Sequence, residues 1–163
     1  MELEDYLVSI EDLDWTSLFS EWKWLIEPGT SIQPWMMNAF GDLFWFDEQE
    51  QVNLLTISDG CNEVIAETED EFFEKLSDPD NLTLWLMVDL VDEVKEQGME
   101  LGDGQCYGFK LLPYLEGEFD PSNVYVSDIE EYWDFCGDVH RQLDGLPDGS
   151  EITIEIPERD GID

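Results

Sequence analysis

The chain has 163 residues, 42% of them hydrophobic, with seven Trp, five Tyr and nine Phe; a chain of this size and aromatic content buries a sizeable core and is not a disordered acidic tail. Forty-two Asp and Glu against six Lys and Arg leave a formal net charge of −36. That is roughly one net charge per 230 Å² of the surface expected at this size, about half the density of duplex DNA, which excludes nucleic acid and anionic lipid as natural partners and favours cationic ones.

In chain order, Trp15, Leu18, Phe19, Trp22 and Leu25 recur at helical spacing, predicting a helix over 12–26 stopped by Pro28-Gly29. The next segment, 34–67, holds short β-rich runs punctuated by Gly41-Asp42, Asp47 to Gln51, and Asp59-Gly60, and predicts an antiparallel meander of about four strands. Thr68 with Glu71 reads as a capping box opening a short helix that halts before Pro79. A second helix, about 81–97, carries Leu82, Leu86, Leu90 and Val94 and closes at Gly98. Strands are expected at "CYGFKLL" and "NVYVS", with a loop from Pro113 to Pro121 between them. Ser127 with Glu130 reads as another capping box, ahead of a helix striped by Ile129, Tyr132, Trp133, Cys136, Val139 and Leu143. A turn at Pro147 to Gly149 leads to a last strand, "EITIEIP". The expected fold class is α+β, an antiparallel sheet with helices packed beside it, as a single domain over 1–157 with a loose acidic tail over 158–163.

Little of this looks catalytic. Gly102, Gly104 and Gly108 are one residue out of register for a dinucleotide fingerprint, Asp103 sits where a phosphate would lie, and Pro113 follows too closely for a new helix; they read as turn glycines. Carboxylate pairs carry no signal among so many acids, and one histidine without a nucleophile elbow gives no acid–base partner. Cys136 and His140 share a helix face, yet Cys136 belongs to the apolar stripe and the spacing fits no zinc motif, so His140 reads as a partly buried structural histidine. Asp78 and Asp80 lack the calcium-loop pattern and read as helix capping. No enzyme activity, cofactor or metal is expected. The cysteine usage, with three residues and no paired spacing, fits a reducing cytoplasm, and neither a signal peptide nor an 18-residue apolar span is present. Trp15, Trp22, Trp85 and Trp133 are expected in the core, whereas Trp24, Trp35 or Trp45 could present an exposed indole.

The blocks "AFGDLFWFD", "LWLMVDLVDEVKEQGMELGDGQCYGFK" and "VSDIEEYWDFCGDVHRQLDGLPDGSEI" resemble the GAD-like, DNase-immunity family of bacterial type VI secretion systems, with the likeness running from about Trp22 to Ile152 and most specific at Gln105 to Lys110 and His140 to Gly149. The family pattern has a double glycine after the proline, where this chain reads "LPYLEGE", with Glu116 in place of one glycine. The resemblance implies a cytoplasmic antitoxin, without catalysis or cofactor, that binds a cognate nuclease and blocks its active site. The SUKH immunity superfamily is a neighbouring possibility with a different toxin class, and an acidic globular protein of a salt-loving organism is a rival of another kind.

For an immunity protein with this charge, the expected partner is a cationic toxin, with no nucleic acid, no membrane and the oligomeric state open. The expected contact surface is the acidic loop Glu116, Glu118 and Asp120 with the solvent side of the last helix, Glu130, Glu131 and Asp134, and Trp45 as aromatic anchor.

Overall fold

The computed structural model describes residues 3–144 except Asp12 and Pro28; the turn at 147–149, the strand expected at 151–157 and the tail at 158–163 lie outside the described residues. The expected meander is present. Strands β1 (Leu7–Val8), β2 (Gln33–Asn38), β3 (Leu43–Phe46), β4 (Val52–Thr56) and β5 (Cys61–Ala66) make a five-stranded antiparallel sheet in sequence order. Its turns use the residues that the sequence marks as punctuation. Gly41 and Gly60 take φ of 85° and 69°, a region open mainly to glycine, and the Asp47 carboxylate accepts from the N–H groups of Gln49 and Gln51. The two-residue strand β1 was not expected, being too short to show a pattern.

The β2–β3 turn is the hub of the molecule. Asn38 Oδ1 accepts from the N–H of Phe40 and of Asp42, closing the turn, while its Nδ2 donates to Asp42 Oδ2 and to the Trp85 carbonyl. Asp42 Oδ1 accepts from the Ile57 N–H in the β4–β5 turn. The Gly41 carbonyl accepts from the Trp133 indole, and the Ala39 carbonyl from the Tyr107 N–H. Four parts of the chain remote from one another in sequence are thus fastened to one tight turn.

Three helices follow the sheet. α2 (Glu69–Leu76) opens as expected, with Thr68 Oγ1 accepting from the Glu71 N–H at 3.0 Å. The helix expected over 81–97 is two helices, α3 (Pro79–Leu86) and α4 (Val88–Glu96), broken at Met87, whose φ is 52°. The reason is tertiary: in a continuous helix the Trp85 carbonyl would accept from the amide four residues on, and here the Asn38 side chain takes it. Asp78 caps α3 by accepting from the Asp80 N–H, as its placement suggested. The N-terminal helix expected over 12–26 shrinks to one turn, α1 (Trp15–Leu18), followed by a 3-10 turn at Phe19–Glu21. The inward face is nonetheless as expected, since Leu18 and Trp22 are fully buried. Trp15, Phe19 and Trp22 each meet Trp133 edge-on, at centroid separations of 5.4 to 6.3 Å, a favoured arrangement for aromatic pairs.

The remaining strands, β6 (Gln105–Phe109) and β7 (Val124–Asp128), pair with each other as a separate antiparallel hairpin rather than extending the meander. α5 (Ile129–Leu143) packs across it, burying Ile129, Tyr132, Trp133, Cys136 and Val139, the expected stripe. Its start differs from expectation, because Ser127 and Glu130 form no capping box. Asp128 is the N-cap residue without a side-chain bond, Ser127 Oγ donates to the Asp128 carbonyl, and the Ile129 N–H is satisfied by the Gly104 carbonyl. Of the three glycines in "GDGQCYG", only Gly104 has positive φ. Gly108 is needed for another reason: a Cβ there would lie 2.6 Å from the Tyr132 ring.

Candidate partner-binding site

The acidic residues expected to form one contact surface fall into two groups. Glu130 and Glu131 stand at the start of α5, beside the Gln105–Asp128 end of the hairpin. Glu116, Glu118 and Asp120 lie in the connection beyond its other end, where Phe109 pairs with Val124. The C-terminal part of α5 reaches that second end, since Tyr114 of the connection packs edge-on against His140, with centroids 5.1 Å apart. At about 1.5 Å per helical residue, Glu130 and Glu131 are therefore roughly 15 Å along the axis from the contact that Tyr114 makes. Asp134 belongs with the helix group: burial raises its carboxyl above the usual range, and the nearby charges of Glu21 and Glu130 add to the effect.

Trp45 is corrected outright. It is 3% exposed, and its indole N–H donates to Asn62 Oδ1 at 2.9 Å. Leu43, Phe44 and Trp45 are successive residues of β3 and all are buried, so both faces of this central strand are covered and no alternation leaves the indole outside. Trp24 and Trp35 are partly buried against the core, Trp35 among Phe46, Phe72 and Phe73.

The connection 111–120 is the more informative region, and it is tightly braced. Asn123 is its clamp: Oδ1 accepts from the Leu111 N–H, and Nδ2 donates to the carbonyls of Leu111 and Glu118. A 3-10 turn at Pro113–Leu115 is followed by Glu116 at φ 70°, and the Gly117 N–H returns to the Leu112 carbonyl. Asp120 caps the next turn, accepting from the Ser122 N–H and hydroxyl, and those bonds hold its carboxyl below the usual range. Asp120 is thus engaged within the loop, and Glu116, Glu118 and Asp120 are all exposed.

This rigid loop exposes apolar groups that sequence reasoning passed over. Leu111 is 44%, Tyr114 58% and Phe119 62% exposed. Their only signal is apolar residues interleaved with acids in "LLPYLEGEFD", a pattern with neither helical nor strand period and hence silent in a search for regular elements.

The buried titratable groups serve the fold. His140 is 3% exposed and lies 3.0 Å from the Ser58 carbonyl; a carbonyl only accepts, so Nε2 carries the proton, and burial lowers the pKa of the ring. Tyr132 accepts from the Phe109 N–H at 3.0 Å. Asp42 is tied to Asn38 and Ile57, with burial pushing its carboxyl to about 7. Among the described residues no group of three or more His, Cys, Asp and Glu is placed to hold a metal ion, and no helix is long and apolar enough to cross a membrane.

Residues 66–140 match the family described as "T6SS immunity protein Tdi1, C-terminal". The matched segment runs from the end of the meander through α5 to His140 and contains the braced loop. No curated protein matches the chain significantly. Over these 75 of its 163 residues the chain is similar to a type VI secretion immunity protein.

Proposed function

We propose, with the immunity-family match as premise, that this protein neutralises a cognate nuclease toxin of a type VI secretion system by occupying the basic cleft in which the toxin would bind nucleic acid. The observation that carries the reading is the net charge of −36 around a closed aromatic core, a surface that presents to a nuclease the sign and much of the charge density of its substrate. The role asks for no chemistry from this chain. In keeping with that, its buried carboxyl, imidazole and phenol are each engaged with backbone or turn groups. Such a protein acts in the cytoplasm, where a nuclease would reach the genome.

The direct test combines the cognate nuclease, isolated through its complex with this protein from the cells that make both, with plasmid DNA. Degradation should stop once the present protein reaches equimolar amounts. Degradation that continues at a large excess, or turnover of a substrate by this chain alone, would count against the proposal.

A further inference from the structure

We infer that the loop 111–120 is the docking element, with Tyr114 and Phe119 as its anchors and Glu116 and Glu118 as its charged rim, and that its occupant is a basic protein surface containing an apolar pocket. The inference rests on the immunity reading and specifies the surface that performs it.

Three observations lead there. First, Tyr114 and Phe119 are more than half exposed and Leu111 nearly so, so that three of the six large apolar side chains exposed among the described residues fall within this one ten-residue loop of a strongly charged protein. Each ring is held from beneath, Tyr114 by His140 and Phe119 by Phe109, in edge-on contacts of 5.1 and 5.4 Å. Second, the Asn123 clamp and the returns to Leu112 and Pro113 fix the backbone before any partner arrives, so little ordering entropy remains to be lost on binding. Third, the sign of the occupant is set by the neighbourhood. Within the loop Glu116, Glu118 and Asp120 stand without a Lys or Arg among them; Lys110 precedes it, and Arg141, beside His140, is ion-paired with Asp138. A second copy of the chain would bring the same charge to the contact and be repelled, while a cationic rim round an apolar pocket complements it. The large aromatics then act as the desolvated centre and the carboxylates as the steering rim.

The test titrates the cognate nuclease, catalytically inactivated, against the wild type and four variants of this protein. Tyr114→Ser/Phe119→Ser should weaken binding about thirty-fold or more, mainly through faster dissociation. Leu84→Ser, which alters the 71% exposed leucine of α3, and Glu130→Gln/Glu131→Gln, at the far end of the hairpin, should each stay within about threefold. Glu118→Lys, an exposed rim position, leaves the ring contacts intact and should slow association several-fold at low salt, which guards against misreading a misfolded double variant. If the wild type binds and both loop variants bind as tightly, the loop assignment is overturned while the immunity reading survives. If the wild type does not bind, both are overturned.

Discussion

Glu116 stands where the family pattern has one glycine of a pair. Its φ of 70° lies in the region that favours glycine, which accounts for the double glycine of the resembling sequences, and a non-glycine residue there stores on the order of 1 kcal/mol. Glu116→Gly should accordingly raise stability by about that much, read as a shift in the urea midpoint with unchanged slope. The next residue has no such latitude: a Cβ on Gly117 would stand 1.8 Å from the Leu111 carbonyl oxygen. Gly117→Ala should cost on the order of 3 kcal/mol in the same experiment. Asp42 gives a prediction in pH. Burial pushes its carboxyl to about 7 when folded, against 3.8 when unfolded, so between those values the folded state holds the extra proton and the contribution of Asp42 to stability falls as pH rises. In Asp42→Asn the new amide would face the Asn38 amide, donor against donor, a defect of about 1–3 kcal/mol. Unfolding curves at pH 5 and pH 8 should find the variant less stable at pH 5, with the gap narrowing by pH 8.

Among the elements, what could be read from the sequence follows whether the cause is local. The meander was legible because Gly41, Asp47 and Gly60 fix their turns with their own backbone and side chain. The Thr68 cap and the apolar stripe of α5 were legible for the same reason. The break at Met87 was not, because the group that claims the Trp85 carbonyl is Asn38, remote in sequence. The shortening of α1 was not legible either, since the spacing of Trp15, Leu18, Phe19 and Trp22 suits one turn of helix as well as four. In the candidate site, sequence located the acidic loop but neither its exposed aromatics nor its separation from Glu130 and Glu131, since both depend on how α5 lies across the hairpin. That packing has its own test. Tyr132→Phe keeps the ring but leaves the buried Phe109 N–H without its acceptor, and should lower stability by about 1–2 kcal/mol; a neutral result would show that the phenol does not join helix to strand.

For the whole molecule the governing quantity is −36 charges on one folded chain. Self-repulsion opposes compactness and is screened by salt, so the melting temperature should rise by a few degrees between low and about 0.5 M NaCl while the chain stays folded at the low end; unfolding there would favour the brine-adapted alternative. The same charge should dominate recognition. The most direct measurement is the association rate between this protein and its inactivated cognate nuclease as NaCl is varied. Fast association that slows steeply with salt, with a dissociation rate that barely changes, is the predicted result; no binding, or an association rate indifferent to salt, would contradict the account.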